Sequence, residues 1–115
     1  MKEGVRELNL ELGYPTVDQA MRRLDAEIAA SKQMKRRAMK IIHGYGSSGK
    51  GGKIRTACRK HLKEAQSRGE IAMWLPGERF TIFEEDARQL MQHCEALRRD
   101  PDREQYNNGV TFVLF

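Results

Sequence analysis

A glycine-rich segment lies between a short apolar run and an amphipathic stretch, in the sequence AMKIIHGYGSSGKGGKIR at residues 38–55. Its five glycines alternate with tyrosine, serine and lysine, and glycine enters positive φ freely and lets other groups approach the backbone closely. Such a loop can direct several amide N–H groups toward one point. A helix that starts after it adds its own unpaired N–H groups and the positive end of its dipole. The segment therefore predicts an anion site, and phosphate is the expected ligand.

The predicted anion site combines these backbone donors with positive side chains. Arg55 and Arg59 are four residues apart and lie on one face of the helix predicted after the loop. Tyr45 at the tip of the loop could stack on an unpaired base or could pack over the loop itself. The candidate nucleic-acid-binding residues are Gly44, Tyr45, Gly46, Ser47, Ser48, Gly49, Lys50, Gly51, Lys53, Arg55 and Arg59.

His43 directly precedes the loop and is the candidate catalytic residue. An imidazole suits general acid or base catalysis because its unperturbed pKa lies near neutrality. The ring could also cap the strand by hydrogen bonding to a backbone group, and this interpretation is preferred because no partner acid is evident. Cys58 and His61 are three residues apart, but two ligands do not make a zinc site. The sequence predicts no metal site and no cofactor.

The patterns around the loop predict an α/β fold with the order β-α-β-α-β-(α)-β. Leu8, Leu10 and Leu12 alternate with polar residues, as in a strand with one buried face. Thr16 and Gln19 match a capping box for a helix that runs to about residue 31. Further strands are predicted at residues 39–43, 71–75 and 110–115. A second helix is predicted after the glycine loop, with Ile54 to Ala65 along its apolar face and its end at Gly69, and a third helix is predicted from residue 84. Since parallel neighbours need helical crossovers, this order predicts a mixed β-sheet backed by helices.

Composition limits the class of protein. A chain of 115 residues predicts a single domain over residues 1–115. Its 21 Lys and Arg against 16 Asp and Glu give a net charge of +5, which fits a polyanionic partner or a protein with many surface lysines. Two cysteines are too few for a disulfide framework, which predicts a reducing cytoplasm. No apolar run approaches the roughly 20 residues of a membrane span, so no membrane partner is expected.

Four cations, Lys32, Lys35, Arg36 and Arg37, follow the first predicted helix. The cluster could contact nucleic acid, or it could be a polar connector that is simply solvated. The solvated connector is the preferred interpretation, because charge runs usually belong to exposed segments.

Two phosphate-binding motifs match the loop incompletely. Gly44 to Lys50 fits the P-loop spacing, but Gly51 stands where that motif needs Ser or Thr to hold magnesium. The pattern G-x-G-x-x-G also fits, but the acidic residue expected after the following strand is absent, since that strand runs into Pro76. Neither motif assigns a nucleotide.

The run IIHGYGSSGKGGKIR, the amphipathic helix after it and the terminal strand GVTFVLF together resemble the small MutS-related (Smr) domain. That family pairs a His-Gly-x-Gly loop, matched here by His43, Gly44 and Gly46, with a Leu-Asp-x-His motif on its first strand. This chain has Leu8-Asn9-Leu10-Glu11 there, without the acid and the imidazole. The resemblance covers the chain apart from roughly residues 78–107, which are predicted to form a helical insertion.

The resemblance implies a fold similar to the C-terminal domain of bacterial translation initiation factor three, and binding of DNA or RNA, with a ribosome as one potential partner. Nicking or RNA cleavage occurs in some members, so one alternative is an endonuclease with an altered active site that uses His43 with Glu11, and with a divalent metal. Another alternative is a protein-interaction module whose loop merely turns tightly. The predicted function is binding of nucleic acid through the glycine loop and the basic helix face.

Overall fold

A computed structural model describes residues 4–44 and 51–115 of the chain. Its strands are β1 (Val5–Asn9), β2 (Ala38–Ile42), β3 (Met73–Pro76) and β4 (Val110–Leu114). Its α-helices are α1 (Val17–Gln33), α2 (Gly51–Ser67) and α3 (Glu85–His93), and two 3₁₀-helices span Gly77–Arg79 and Glu95–Arg99. The elements follow the predicted order.

The four strands form one mixed sheet in the order β1-β2-β4-β3. β1 and β2 are parallel, with Val5 opposite Ala38, and α1 makes the crossover between them. β4 lies antiparallel to both of its neighbours, β2 and β3. The prediction of a mixed sheet backed by helices is therefore confirmed.

Helix α1 begins where its capping box predicts. The Thr16 side chain accepts a hydrogen bond from the Gln19 amide, and the Gln19 side chain accepts one from the Thr16 amide. The first strand, by contrast, was predicted too far along the chain: β1 ends at Asn9, and Leu12 is exposed. The Asn9 side chain accepts a hydrogen bond from the Glu11 amide and turns the backbone away from the sheet.

Each face of the sheet carries its own apolar core. On the first face, Leu24 of α1 and Leu62 of α2 belong to one buried cluster with Met39 and Ile41 of β2. On the second face, residues from the segment between β3 and β4 cover the sheet, and the rings of Phe80 and Phe112 lie 4.4 Å apart between centroids. The central strand β2 is thus covered on both sides, which fits the adjacent apolar residues Ile41 and Ile42.

A buried ion cluster ties the segment after α3 to the sheet. The Lys40 ammonium lies 2.9 Å from Asp100 Oδ1 and 2.6 Å from Asp102 Oδ2, and 5.9 Å from the centre of the Phe112 ring. Burial alone would lower the pKa of Lys40, but the bonds to Asp102 and Asp100 outweigh it and leave this pKa raised. Lys40 therefore stays charged inside the second core.

No helix within the described residues is both long and apolar enough to cross a membrane.

Candidate nucleic-acid interface

The segments that flank the glycine loop converge at one edge of the sheet. In the strand register Asn9 lies opposite Ile42, Ile42 opposite Val110, and Pro76 opposite Thr111. The ends of β1, β2 and β3 and the beginning of β4 therefore meet there. We call this region the loop edge and define it by Glu11, His43, Gly44, Lys53, Arg55, Arg59, Glu78, Asn108 and Thr111. Residues 45–50, which include Tyr45, Gly46, Ser47, Ser48, Gly49 and Lys50, lie outside the described part of the chain.

His43 is completely buried at the loop edge. Its Nδ1 lies 2.8 Å from the Gly44 carbonyl oxygen and its Nε2 lies 2.7 Å from Thr111 Oγ1. Because a carbonyl oxygen can only accept, this network assigns the proton to Nδ1 and makes Nε2 the acceptor of the Thr111 hydroxyl. Burial lowers the pKa of His43 to about 4, and the positive charges of Arg59 and Arg55 act in the same direction. The ring is therefore neutral at pH 7 and hydrogen-bonds to a backbone group, as in the capping interpretation.

Gly44 occupies a position that only glycine accommodates without strain. Its φ is +75°, and a Cβ added there would collide with the Glu11 carboxylate. The amides of His43 and Gly44 both donate to the Gly109 carbonyl oxygen at 3.0 Å, which holds this turn against the start of β4. The structure thus brings Glu11 against the residue that follows His43.

The Arg59 guanidinium is bound by the protein itself. Its Nη1 and Nη2 donate to the two carboxylate oxygens of Glu78 at 2.8 and 2.7 Å. Its Nε donates to Thr111 Oγ1 at 3.1 Å, and Nη2 also approaches the carbonyl oxygens of Val110 and Asn108. Burial alone would raise the pKa of Glu78, but the Arg59 bonds outweigh it and lower this pKa. Both members of the pair are charged at pH 7.

These bonds form one continuous chain across the loop edge. Arg59 donates to the Thr111 oxygen, the Thr111 hydroxyl donates to His43 Nε2, and His43 Nδ1 donates to the Gly44 carbonyl. Every donor in this chain has one acceptor, so α2, β4 and the end of β2 are held in a single arrangement.

Lys53 and Arg55 are the cations that the loop edge leaves available. Lys53 is exposed and Arg55 is half-buried, and within residues 4–44 and 51–115 neither forms an ion pair or a side-chain hydrogen bond. The first turn of α2, which begins at Gly51, contains no acidic residue to neutralise them. The basic side chains of α2 therefore differ: Arg59 pairs with Glu78, whereas Lys53 and Arg55 form no ion pair among the described residues, although the charge of Arg55 acts on Glu78.

Three residues of the loop edge escaped the sequence analysis, namely Glu78, Asn108 and Thr111. Thr111 could have been noticed as the one polar residue within the buried run VTFVLF. Glu78 and Asn108 are in turns rich in polar residues, where no periodicity marks a particular side chain.

The described residues contain no group of three His, Cys, Asp or Glu side chains that could hold a metal ion. Cys58 is buried, and burial raises the pKa of its thiol to about 12. His61 instead contacts Asp25 of α1, with 2.6 Å between Nε2 and Oδ1. Cys58 therefore lies in the core, whereas His61 contacts a carboxylate of another helix, and the two side chains do not share a site.

The mixed four-stranded sheet, with two helices on one face and a helical segment on the other, defines an α/β sandwich domain. The family model of the Smr domain matches residues 10–79, more than half of the chain, and the chain belongs to the Smr family. The crystal structure of the Smr domain of Thermus thermophilus MutS2 is similar in fold, with a TM-score of 0.58, 18% sequence identity and 95% of each chain covered. No curated protein matches the sequence.

The Smr domain is known as a nucleic-acid-binding and nuclease-like domain. The family match ends at residue 79. The helical insertion at about 78–107 stays a prediction, as does the assignment of residues 1–115 to one domain.

Proposed function

We propose that this protein binds nucleic acid at the loop edge, with phosphates held by the glycine loop, the first turns of α2 and the side chains of Lys53 and Arg55. The observation that carries the proposal is the unneutralised start of α2, which directly follows the loop and has no acidic residue in its first turn. Unpaired N–H groups, the helix dipole and two cations act in the same direction there. Membership of the Smr family supports the same function.

In this proposal Arg59 organises the site and does not bind the ligand. Its donors are taken by Glu78, by Thr111 and by backbone carbonyls, so a phosphate would have to displace a bidentate carboxylate to reach it. Among the described residues neither Lys53 nor Arg55 is held by an ion pair or a side-chain hydrogen bond, although Arg55 lies close enough to Glu78 for its charge to act on that carboxylate. Binding is therefore expected to depend on these two residues through their charge and on Arg59 through stability.

The test is the salt dependence of binding to short single-stranded and duplex oligonucleotides, measured by fluorescence anisotropy. Each phosphate contact releases condensed counterions, which gives a slope of log K against log salt of about −0.9 on duplex or −0.7 on single strands. Lys53→Ala combined with Arg55→Ala should flatten the slope by about 1.8 or 1.4 respectively. Arg22→Ala with Lys60→Ala, which removes the same charge from exposed helix positions, is the matched control.

Equal effects of the two double variants would mean that only net charge matters and that the loop edge is not a site. That result would favour the alternative in which the loop turns tightly within a protein-interaction module.

The second candidate is an endonuclease with an altered active site. It is favoured by one observation, that the Glu11 carboxylate lies against Gly44, next to His43. In this mechanism Glu11 would act as the general base, because both ring nitrogens of His43 are already hydrogen-bonded, Nδ1 to the Gly44 carbonyl and Nε2 to Thr111. Incubation with nicked, supercoiled and single-stranded substrates, with and without divalent metal, tests it.

A further inference from the structure

Six cationic side chains lie on the two segments that border or start from the edge of the sheet opposite the loop edge. Four of them span the turn from α1 into β2, and two lie at the end of the second 3₁₀-helix. We call this region the basic edge and define it by Lys32, Lys35, Arg36, Arg37, Arg98 and Arg99.

Backbone contacts place this turn at the far edge of the sheet. The Arg37 amide donates to the Gly4 carbonyl just before β1, and the Arg37 carbonyl accepts from the Phe115 amide just after β4. The Arg37 guanidinium reaches the His93 carbonyl at the end of α3, with 3.4 Å between Nη1 and O. The helix that carries Arg98 and Arg99 begins two residues after His93, so the segment that holds these two cations starts from this edge of the sheet.

The carboxylates near the basic edge are few, and two of them are bound by cations outside it. Both oxygens of Glu27 accept from Arg6, at 3.0 and 2.7 Å, and Asp100 is buried against Lys40. None of the six cations forms an ion pair within the described residues, and Glu95 is the acidic neighbour on the same 3₁₀-helix. By contrast, the arginines at positions 59, 68 and 79 are each paired with a glutamate. Uncompensated positive charge is therefore concentrated at this edge.

The end of helix α1 accounts for part of the positive charge at the basic edge. Lys35 has a φ of +57° and follows the end of α1, and Lys32 lies in the last turn of that helix, where cations interact favourably with the dipole. Arg98 and Arg99 also lie in the last turn of their own helix, but that 3₁₀-helix has only five residues and therefore carries a small dipole. A requirement of the fold does not explain them either, because both side chains are exposed.

We propose that the basic edge is a second contact surface for the phosphate backbone of nucleic acid. The nature of this ligand rests on the proposed function, whereas the surface itself rests on the charges described above. Exposed lysines and arginines act as point charges on a polyanion, so contacts here would be independent of base sequence.

The two contact surfaces lie at opposite ends of the strands. Five-residue strands at about 3.3 Å per residue separate them by about 16 Å along the sheet. A short single strand at one edge would leave the other free. The arrangement therefore suits a folded RNA, or two nucleic-acid segments held by one protein molecule.

The test compares three charge-matched double variants of the full chain. Arg98→Gln with Arg99→Gln removes charge from the basic edge, Lys53→Gln with Arg55→Gln removes it from the loop edge, and Arg22→Gln with Lys60→Gln is the control. Lys32→Gln with Lys35→Gln is a second basic-edge variant from a different element, and circular dichroism verifies folding of each.

Binding to a long structured RNA should weaken roughly tenfold at low salt in either basic-edge variant, with a slope flatter by about 1.4 to 1.8, and the loop-edge loss should add to it. Energy transfer between two differently labelled duplexes, each too short to span the protein, should appear with the unsubstituted protein and disappear in both basic-edge variants.

The outcomes separate this inference from the proposed function. Basic-edge variants that behave like the control overturn the inference and leave the loop edge untouched. A loss confined to the basic-edge variants supports the inference and overturns the proposed use of the loop edge. Vesicles of phosphatidylglycerol in phosphatidylcholine are the further probe. Vesicle binding as tight as RNA binding, and lost in the same variants, would overturn the assignment to nucleic acid.

Discussion

Arg59 of α2 and Glu78 of the first 3₁₀-helix form a bidentate ion pair across the loop edge, with N to O distances of 2.7 and 2.8 Å. The pair joins the helix that follows the glycine loop to the end of β3. Gly77 beside it has no room for a side chain, since a Cβ there would meet the Asn107 carbonyl and Val110. The contact therefore sets the position of α2 relative to the sheet.

Replacement of Arg59 by Lys should lower the free energy of unfolding by about 2 kcal/mol, because an ammonium cannot reproduce the bidentate geometry and leaves Thr111 without its donor. Denaturant titration measures this change. The charge is retained, so the salt dependence of nucleic-acid binding should match that of the unsubstituted protein. A stable Arg59→Gln variant, which removes the charge, with a flattened salt slope would show that Arg59 contacts phosphate directly.

His43 should make stability depend on pH between about 6.5 and 4. Its pKa is about 4 in the folded protein against an ordinary value of 6.5, so the unfolded chain binds more protons in this window. The stabilisation is complete above pH 6.5 and is lost as the pH falls toward 4, by on the order of 3 kcal/mol in all. Denaturant titrations across this window should show that the free energy of unfolding of His43→Gln depends much less on pH than that of the unsubstituted protein. The control His93→Gln, at an exposed position, should keep the pH dependence of the unsubstituted protein.

Lys40→Met should lower the free energy of unfolding by roughly 3–5 kcal/mol, because it takes the ammonium away from the buried Asp100 carboxylate and the half-buried Asp102 carboxylate. Adding Asp100→Asn and Asp102→Asn to it should recover a large part of this loss, since these carboxylate charges are then gone. Urea titration of the single and triple variants provides the measurement. A triple variant no more stable than Lys40→Met would mean that packing against Phe112, and not charge, is what Lys40 contributes.

Gly44→Ala should destabilise the protein by at least about 1 kcal/mol, the cost of a left-handed conformation for a residue with a side chain. The Glu11 carboxylate that a Cβ would meet is the end of an exposed, flexible side chain, so it can turn aside and adds little to this cost. The loss caused by Gly44→Ala should therefore be nearly the same in the Glu11→Ala background, which a double-mutant cycle of thermal unfolding measures. A much smaller loss in that background would show that Glu11 is held in place against Gly44.

Any cleavage of nucleic acid should be weak and should not follow the family's usual dependence on the first-strand motif, since Asn9 and Glu11 stand where the family has Asp and His. An amide cannot serve as a base, and a glutamate is charged where the family has imidazole. Gel assays with the substrates named above measure the rate. Robust cleavage that persists in His43→Ala would show that the tentative assignment of His43 as a catalytic residue is wrong.

The elements that local sequence determines were predicted well. The capping box of Thr16 and Gln19 starts α1, and the apolar spacing along α2 identifies its buried face. These features depend on residues three or four positions apart, whose interactions form within one helical turn. The first strand was misplaced because the Asn9 side chain bonds to the Glu11 backbone, a local competitor that apolar alternation does not register.

The contacts at the candidate site were decided by tertiary structure alone. His43 meets Thr111 across 68 residues, Lys40 meets Asp100 across 60, and Arg59 meets Glu78 across 19. An arginine has the same sequence signature whether it faces solvent or a carboxylate, so sequence could not separate Arg59 from Lys53 and Arg55. The pairing of strands places β4 beside β2 and so brings distant polar groups to one edge. Which cations are neutralised and which stay available for a ligand follows from that pairing, because charge compensation acts through space and not along the chain.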